Sequence, residues 1–148
     1  MKDEKIIGSF FHVVNDIERI GDHAYNFFET SIKMKENDLI FSEQAKSELE
    51  EMNGIISNMF ELAFKIFETE EIADLHKLHE LEDQTDKLKQ TLSAAHYERI
   101  TQNKCKMELS PFYSTFLSEL ERVADHLVNI GYSIITPTGD AEEDKQTA

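Results

Sequence analysis

Apolar residues return every three or four positions along almost the whole chain, a spacing that one face of a helix satisfies. Phe10, Val14, Ile17, Gly21, Ala24 and Phe28 form one such stripe. Leu49, Met52, Ile56, Met59, Ala63 and Ile66 form a second, and Leu75, Leu78, Leu81, Leu88, Leu92 and Ala95 a third. Little interrupts them, because 148 residues include only five glycines and two prolines. Leu, Glu and Lys, which are abundant here, lose little on entering a helix. The chain is therefore all-α.

The stripes and their breakers predict four helices. The first spans residues 5–34 and is stopped by ENDL at residues 36–39. The second starts near Ser42, whose hydroxyl can cap an N-terminus, and lasts to residue 68. The third begins around residue 71 and weakens at TQNK, residues 101–104. The fourth takes Ser110 as N-cap and Pro111 at the first helical position, and runs to residue 135, where Pro137 and Gly139 stop it. Four long amphipathic helices on short links imply an antiparallel bundle, its neighbours crossing at about 20°. Residues 1–135 form this bundle, and TPTGDAEEDKQTA, residues 136–148, is expected to be a disordered acidic tail.

Thirty acidic against fifteen basic residues leave a formal charge of -15, which repels nucleic acid, anionic membrane surfaces and free phosphate, and attracts cations. No run reaches the roughly 18 to 20 apolar residues of a membrane span, and MKDEK has no apolar signal segment behind it. Cys105, the single cysteine, has no partner for a disulfide or a CxxC zinc site, which fits a reducing cytoplasmic setting.

One phrase occurs twice. NDIERIGDHAYNF at residues 15–27 returns as SELERVADHLVNI at residues 118–130. Aligned 103 positions apart, Asp16 pairs with Glu119, Glu18 with Glu121, Arg19 with Arg122, Asp22 with Asp125, His23 with His126 and Asn26 with Asn129. The apolar positions correspond as well, Val14 with Leu117, Ile17 with Leu120, Ile20 with Val123 and Gly21 with Ala124, so this is an internal repeat. Within each copy two carboxylates stand four residues apart, an arrangement that costs a helix a few tenths of a kcal/mol unless a cation lies between them. Glu82 and Asp86 repeat the spacing on helix three. In a chain this acidic roughly six such pairs arise by composition alone. The specificity lies in the repeated ExRxxDHxxN frame.

Two chemistries account for that frame. In one, Arg19 and Arg122 bridge acids of neighbouring helices in a buried polar network, with Asn26 and Asn129 satisfying nearby groups. In the other, the three acidic pairs, Glu18 with Asp22, Glu82 with Asp86 and Glu121 with Asp125, converge on a cation; oxygen donors suit iron, manganese, magnesium and calcium, and zinc less well. His23 and His126 directly follow the second acid, about 100° further round the helix, which makes them orienting groups rather than ligands of the same ion. His12, His76, His79 and His96 are read as surface or packing residues. A di-iron carboxylate enzyme is disfavoured because no Glu has a His three places on. Neither a nucleophile constellation nor a glycine-rich phosphate loop appears, and the chain is not expected to be an enzyme.

ERIGDHAYN and ERVADHLVN resemble the signature helices of PhoU, the phosphate-uptake regulator family, and EDQTD resembles its other ExxxD helix. In the order of its elements, over residues 6–135, the chain looks most like the cytoplasmic PhoU-like tail of bacterial sodium/phosphate cotransporters. The resemblance implies a regulatory domain built of three-helix units, with metal at Glu18, Asp22, Glu82, Asp86, Glu121 and Asp125, and a transporter membrane domain or phosphate-signalling protein as partner. Only one complete unit is present, preceded by one signature helix. On that comparison the chain is expected to be a piece of a longer protein that lacks the acids partnering Glu18 and Asp22. Helix one, with Ile20, Phe27 and Phe11 on a second apolar edge, is then expected to find cover in a homo-oligomer.

Overall fold

A computed structural model describes residues 2–135; the expected acidic tail lies outside the described residues. The four long helices are α1 (Lys2–Glu36), α2 (Glu43–Thr69), α3 (Leu75–Thr101) and α4 (Ser110–Tyr132), and single 3-10 turns at Ile72–Asp74 and Met107–Leu109 lead into α3 and α4. No strand occurs among the described residues.

Local groups set the helix ends. The Ser42 hydroxyl accepts from the Ala45 N–H at 3.1 Å, as the sequence predicts. After α1, Asp38 turns left-handed (φ 54°) and the Leu39 N–H reaches back to the Met34 carbonyl at 2.9 Å, a Schellman closure that also packs Leu39 on Met34. Asn103 (φ 55°) closes α3 the same way through Lys104 N–H on the Arg99 carbonyl. Ser110 is not the cap expected of it. The 3-10 turn already places Leu109 in helical conformation, so Leu109 is the boundary residue and Ser110 and Pro111 stand in the first turn, where proline's missing N–H removes no helical bond.

α2, α3 and α4 pack against one another as a three-helix unit. Met52, Met59, Ala63, Ile66, Leu78, Leu127 and Ile130 are fully buried at its centre. On α4 the whole stripe Tyr113, Leu117, Leu120, Ala124, Leu127 and Gly131 is buried. Gly131 lets the Leu78 side chain lie against the α4 backbone, where a Cβ would collide with Leu78 Cδ2. Thr85, buried in the middle of α3, satisfies its hydroxyl by donating to the Leu81 carbonyl at 2.9 Å.

α1 runs antiparallel along α4, with little other support apart from an edge contact of Phe10 on Phe67 of α2. The face it turns inward is not the stripe singled out in its sequence. Val13, Asp16, Ile20, His23 and Phe27 approach α4, while Phe10, Val14, Ile17 and Phe28 are each 46–59% exposed. The repeat gives the reason. Phe10, Val14, Ile17, Gly21, Ala24 and Phe28 correspond, 103 places on, to Tyr113, Leu117, Leu120, Ala124, Leu127 and Gly131, the residues of α4 that α2 and α3 cover. Among the described residues α1 has no such pair of helices, so the equivalent stripe faces outward.

The two repeat-related helices thus contain glycines in opposite circumstances. Nothing lies within 4 Å of a Cβ built on Gly21. Gly21→Ala should stabilise the fold by about 0.5–1 kcal/mol through helix propensity. Gly131→Ala should destabilise it by roughly 1–3 kcal/mol through overpacking against Leu78. Urea unfolding of both variants checks the pair of signs, and equal effects would mean that the two glycines share one environment.

Candidate functional site

Glu82 and Asp86 on α3 meet Glu121 and Asp125 on α4 across the groove between these helices. Burial, then the charges of Asp125 and Asp86, raise the Glu82 carboxyl above its ordinary value. Burial, then Glu121, Asp125 and Asp83, do the same for Asp86. The two helical pairs therefore repel across the groove as well as along each helix. Two basic groups border them: Lys89 Nζ lies 2.8 Å from Glu121 Oε2, and His79 Nδ1 lies 3.5 Å from Glu82 Oε2. No group of three or more His, Cys, Asp or Glu among the described residues is already arranged to hold one metal ion.

The third acidic pair stands apart. Glu18 and Asp22 are exposed on α1, where with Asn15, Arg19 and His23 they line an open polar recess. Their counterparts Glu121 and Asp125 face α3; among the described residues α1 has no equivalent of α3 beside it, so the three pairs do not converge as expected. The arginines are also placed differently from the buried network envisaged. Arg122 is 59% exposed with a 3.5 Å contact to Glu119 on its own helix, and Arg19 is exposed. Such surface contacts contribute roughly 0–1 kcal/mol. Asn26 and Asn129 are exposed too.

The buried arginine is one that the sequence did not announce. Arg99 on α3 makes a bidentate pair with Glu48 on α2, at 2.7 and 2.8 Å, and the Tyr113 hydroxyl of α4 donates to the same carboxylate at 2.7 Å. Burial pushes the Glu48 carboxyl up, but the hydrogen bonds from Arg99 and Tyr113 outweigh it and hold the group below the usual carboxylate range. His96, buried as a packing residue, stacks on the Tyr113 ring with centroids 4.4 Å apart. Burial keeps its imidazole below the ordinary value, with the Arg99 charge adding to that effect. A signal was available in hindsight: Glu48, Arg99 and Tyr113 each fall on the inward side of their helices.

The seam between α1 and α4 contains the polar contacts that the repeat generates. Glu119 is a carboxylate and can only accept, so His23 Nδ1–H donates to its Oε2, at 2.6 Å. By the same reasoning His126 Nδ1–H donates to Asp16 Oδ1, at 3.0 Å. These are the two halves of one pattern, since Asp16 corresponds to Glu119 and His23 to His126. The two imidazoles meet at the centre with their Nε2 atoms 3.3 Å apart.

This architecture defines a class: an all-helical, strongly acidic module that carries a duplicated signature helix and, among its described residues, no helix long and apolar enough to cross a membrane. The chain belongs to the PhoU domain family, whose profile matches residues 49–134. It is also 29% identical over 135 residues to the phosphate-specific transport system accessory protein PhoU homolog 1 of Thermotoga maritima, an alignment covering 91% of this chain and 57% of that protein. The chain thus spans a little over half the length of this curated relative. No solved structure matches it significantly.

The raised carboxyls of the groove have a sign that can be measured. A carboxyl that holds its proton more tightly when folded stabilises the fold as pH falls and loses that contribution as pH rises through the raised value. Glu82→Gln should therefore raise Tm in neutral buffer containing chelator, by a modest amount because solvent screens the partly exposed groove. The advantage should vanish below about pH 4, where the wild-type carboxyl is protonated folded or unfolded. A lowered Tm for the variant at neutral pH would instead mean that the His79 contact dominates.

Proposed function

We propose that this chain is a non-enzymatic regulatory module of phosphate uptake that binds a cation in the groove between α3 and α4. The observation that carries the reading is the convergence there of Glu82, Asp86, Glu121 and Asp125 with their mutual repulsion incompletely relieved. Oxygen donors of this kind fit iron, manganese or magnesium, with zinc less favoured. An ion would draw the exposed Asp86 and Asp125 inward and neutralise the repulsion that adds to burial in raising the Glu82 and Asp86 carboxyls. It also offers phosphate a positive centre, without which so acidic a chain repels it. Glu18 and Asp22 form the equivalent half-site on α1, awaiting a partner helix. The name of the Thermotoga relative supports the phosphate-transport setting, and the order of elements supports a cytoplasmic place beside a transporter membrane domain of the sodium/phosphate cotransporter kind.

The Lys89 and His79 contacts favour a second reading, a metal-free interaction scaffold whose acids are held in ion pairs. Thermal unfolding separates the two. Manganese, ferric iron or magnesium should raise the wild-type Tm by an amount that grows with the logarithm of ion concentration, and chelator should reverse it. Glu121→Gln combined with Asp125→Asn should abolish most of the shift. An unmoved wild-type transition, or equal shifts in both proteins, supports the scaffold.

The uncovered stripe of α1 belongs to the same proposal, with a second copy of this chain as its occupant. Its alternating steps of three and four residues from Phe10 to Phe28 are those of a helix-pairing seam. Sedimentation at micromolar concentration should give a dimer that Val14→Glu with Ile17→Lys converts to a helical monomer. A monomeric wild type removes the self-association.

A further inference from the structure

The contacts at the α1–α4 seam leave an unfilled requirement. Each Nδ1–H is committed to a carboxylate, so an imidazole that carries this one proton presents a bare lone pair at Nε2. His23 Nε2 and His126 Nε2 nevertheless stand 3.3 Å apart. The ring centroids are 5.3 Å apart and the planes differ by 23°. The 2.0 Å between these separations nearly exhausts what two ring radii can span, so the nitrogens meet head to head rather than in a face-to-face stack. Two acceptors aimed at each other need a positive centre between or beside them.

We propose that His23 and His126 bind a divalent metal ion of the zinc type through their Nε2 atoms, at a site separate from the acidic groove. Zinc–imidazole bonds of about 2.0–2.1 Å across a 3.3 Å gap give an N–Zn–N angle of roughly 105–110°, the tetrahedral value. The carboxylates complete the arrangement that metal-bound histidines commonly have, an acid on the far nitrogen that fixes the tautomer and makes the ligand more basic. Glu119 serves His23 and Asp16 serves His126, and all four side chains are only 8–16% exposed. Water would fill the remaining positions, so affinity should fall short of a four-ligand structural site. Imidazole donors select zinc, copper or nickel over magnesium and calcium, the opposite preference from the groove. Because α1 rests almost wholly on α4, an ion here would clamp α1 to the three-helix unit.

The test is zinc binding by calorimetry at neutral pH, in a His76→Gln, His79→Gln background that removes the exposed histidine pair of α3. That background should bind one zinc ion, and either His23→Gln or His126→Gln should weaken it at least tenfold. Glu121→Gln with Asp125→Asn should leave it within about twofold, which separates this site from the groove. Asp16→Asn retains both nitrogens and should weaken binding about 10- to 100-fold, so the site can be read even if a histidine substitution loosens α1. Cobalt in place of zinc should give the intense visible absorption of tetrahedral coordination, lost in the histidine variants. Zinc binding unchanged by His23→Gln, His126→Gln and Asp16→Asn, or no zinc binding at all, overturns the proposal and leaves the pair sharing a proton only. Loss of zinc through the Glu121 and Asp125 substitutions alone overturns it too, by assigning the ion to the groove.

Discussion

Burial of one stripe of α4 under α2 and α3 is the interaction on which the other features rest. Tyr113, Leu117, Leu120, Ala124, Leu127 and Gly131 bring α4 down onto the α2–α3 pair, and the Leu78 contact at Gly131 leaves no room to shift. That orientation puts Glu121 and Asp125 at the edge of the contact, against Glu82 and Asp86. It also turns Phe116, Glu119, Val123 and His126 to the opposite side, where α1 docks. A helix carries one apolar stripe by default; α4 carries two, and both are used.

The buried polar groups are arranged to suit this. Glu48, Arg99 and Tyr113 tie all three helices of the unit at one end through a bidentate ion pair and a shared carboxylate. Removing Glu48 or Arg99 would leave the other charge without its partner, a change that typically costs about 3–5 kcal/mol in a buried pair. The acids of the groove are the reverse case: they are placed where repulsion is only partly offset, which is a poor design for stability and a suitable one for taking up a cation. The contrast within one small bundle separates groups that hold the fold from groups whose repulsion the proposed cation would relieve.

The helices themselves were legible because period and breakers agree: ENDL, Ser42 and Pro111 mark boundaries within a few residues of those observed. The inward face of α1 was not. Both of its edges are apolar, and periodicity reports that a stripe exists without reporting which neighbour is present to cover it. The acidic pairs were legible as a motif, yet convergence depends on what stands beside each helix, so Glu82, Asp86, Glu121 and Asp125 meet while Glu18 and Asp22 do not. Arg19 and Arg122 attracted attention by being repeated, and Arg99 escaped it by being single; repetition marks a shared helix frame, whereas burial is decided by the third dimension. Aligning the two phrases already paired Asp16 with Glu119 and His23 with His126, but that they cross over to bond each other's histidine follows only from the antiparallel packing.

The docking of α1 has a consequence in time. Its contacts join residues far apart in the chain, 96 positions for His23 with Glu119 and 124 for Ser9 with Ser133, whereas α2, α3 and α4 close through shorter loops. Distant contacts form late, since the loop must be closed before they contribute. On a ribosome α1 is therefore made before α2, α3 and α4 and is the last of the four to find its place. Throughout that interval both of its apolar edges are bare, which makes α1 the segment that a nascent-chain chaperone would meet.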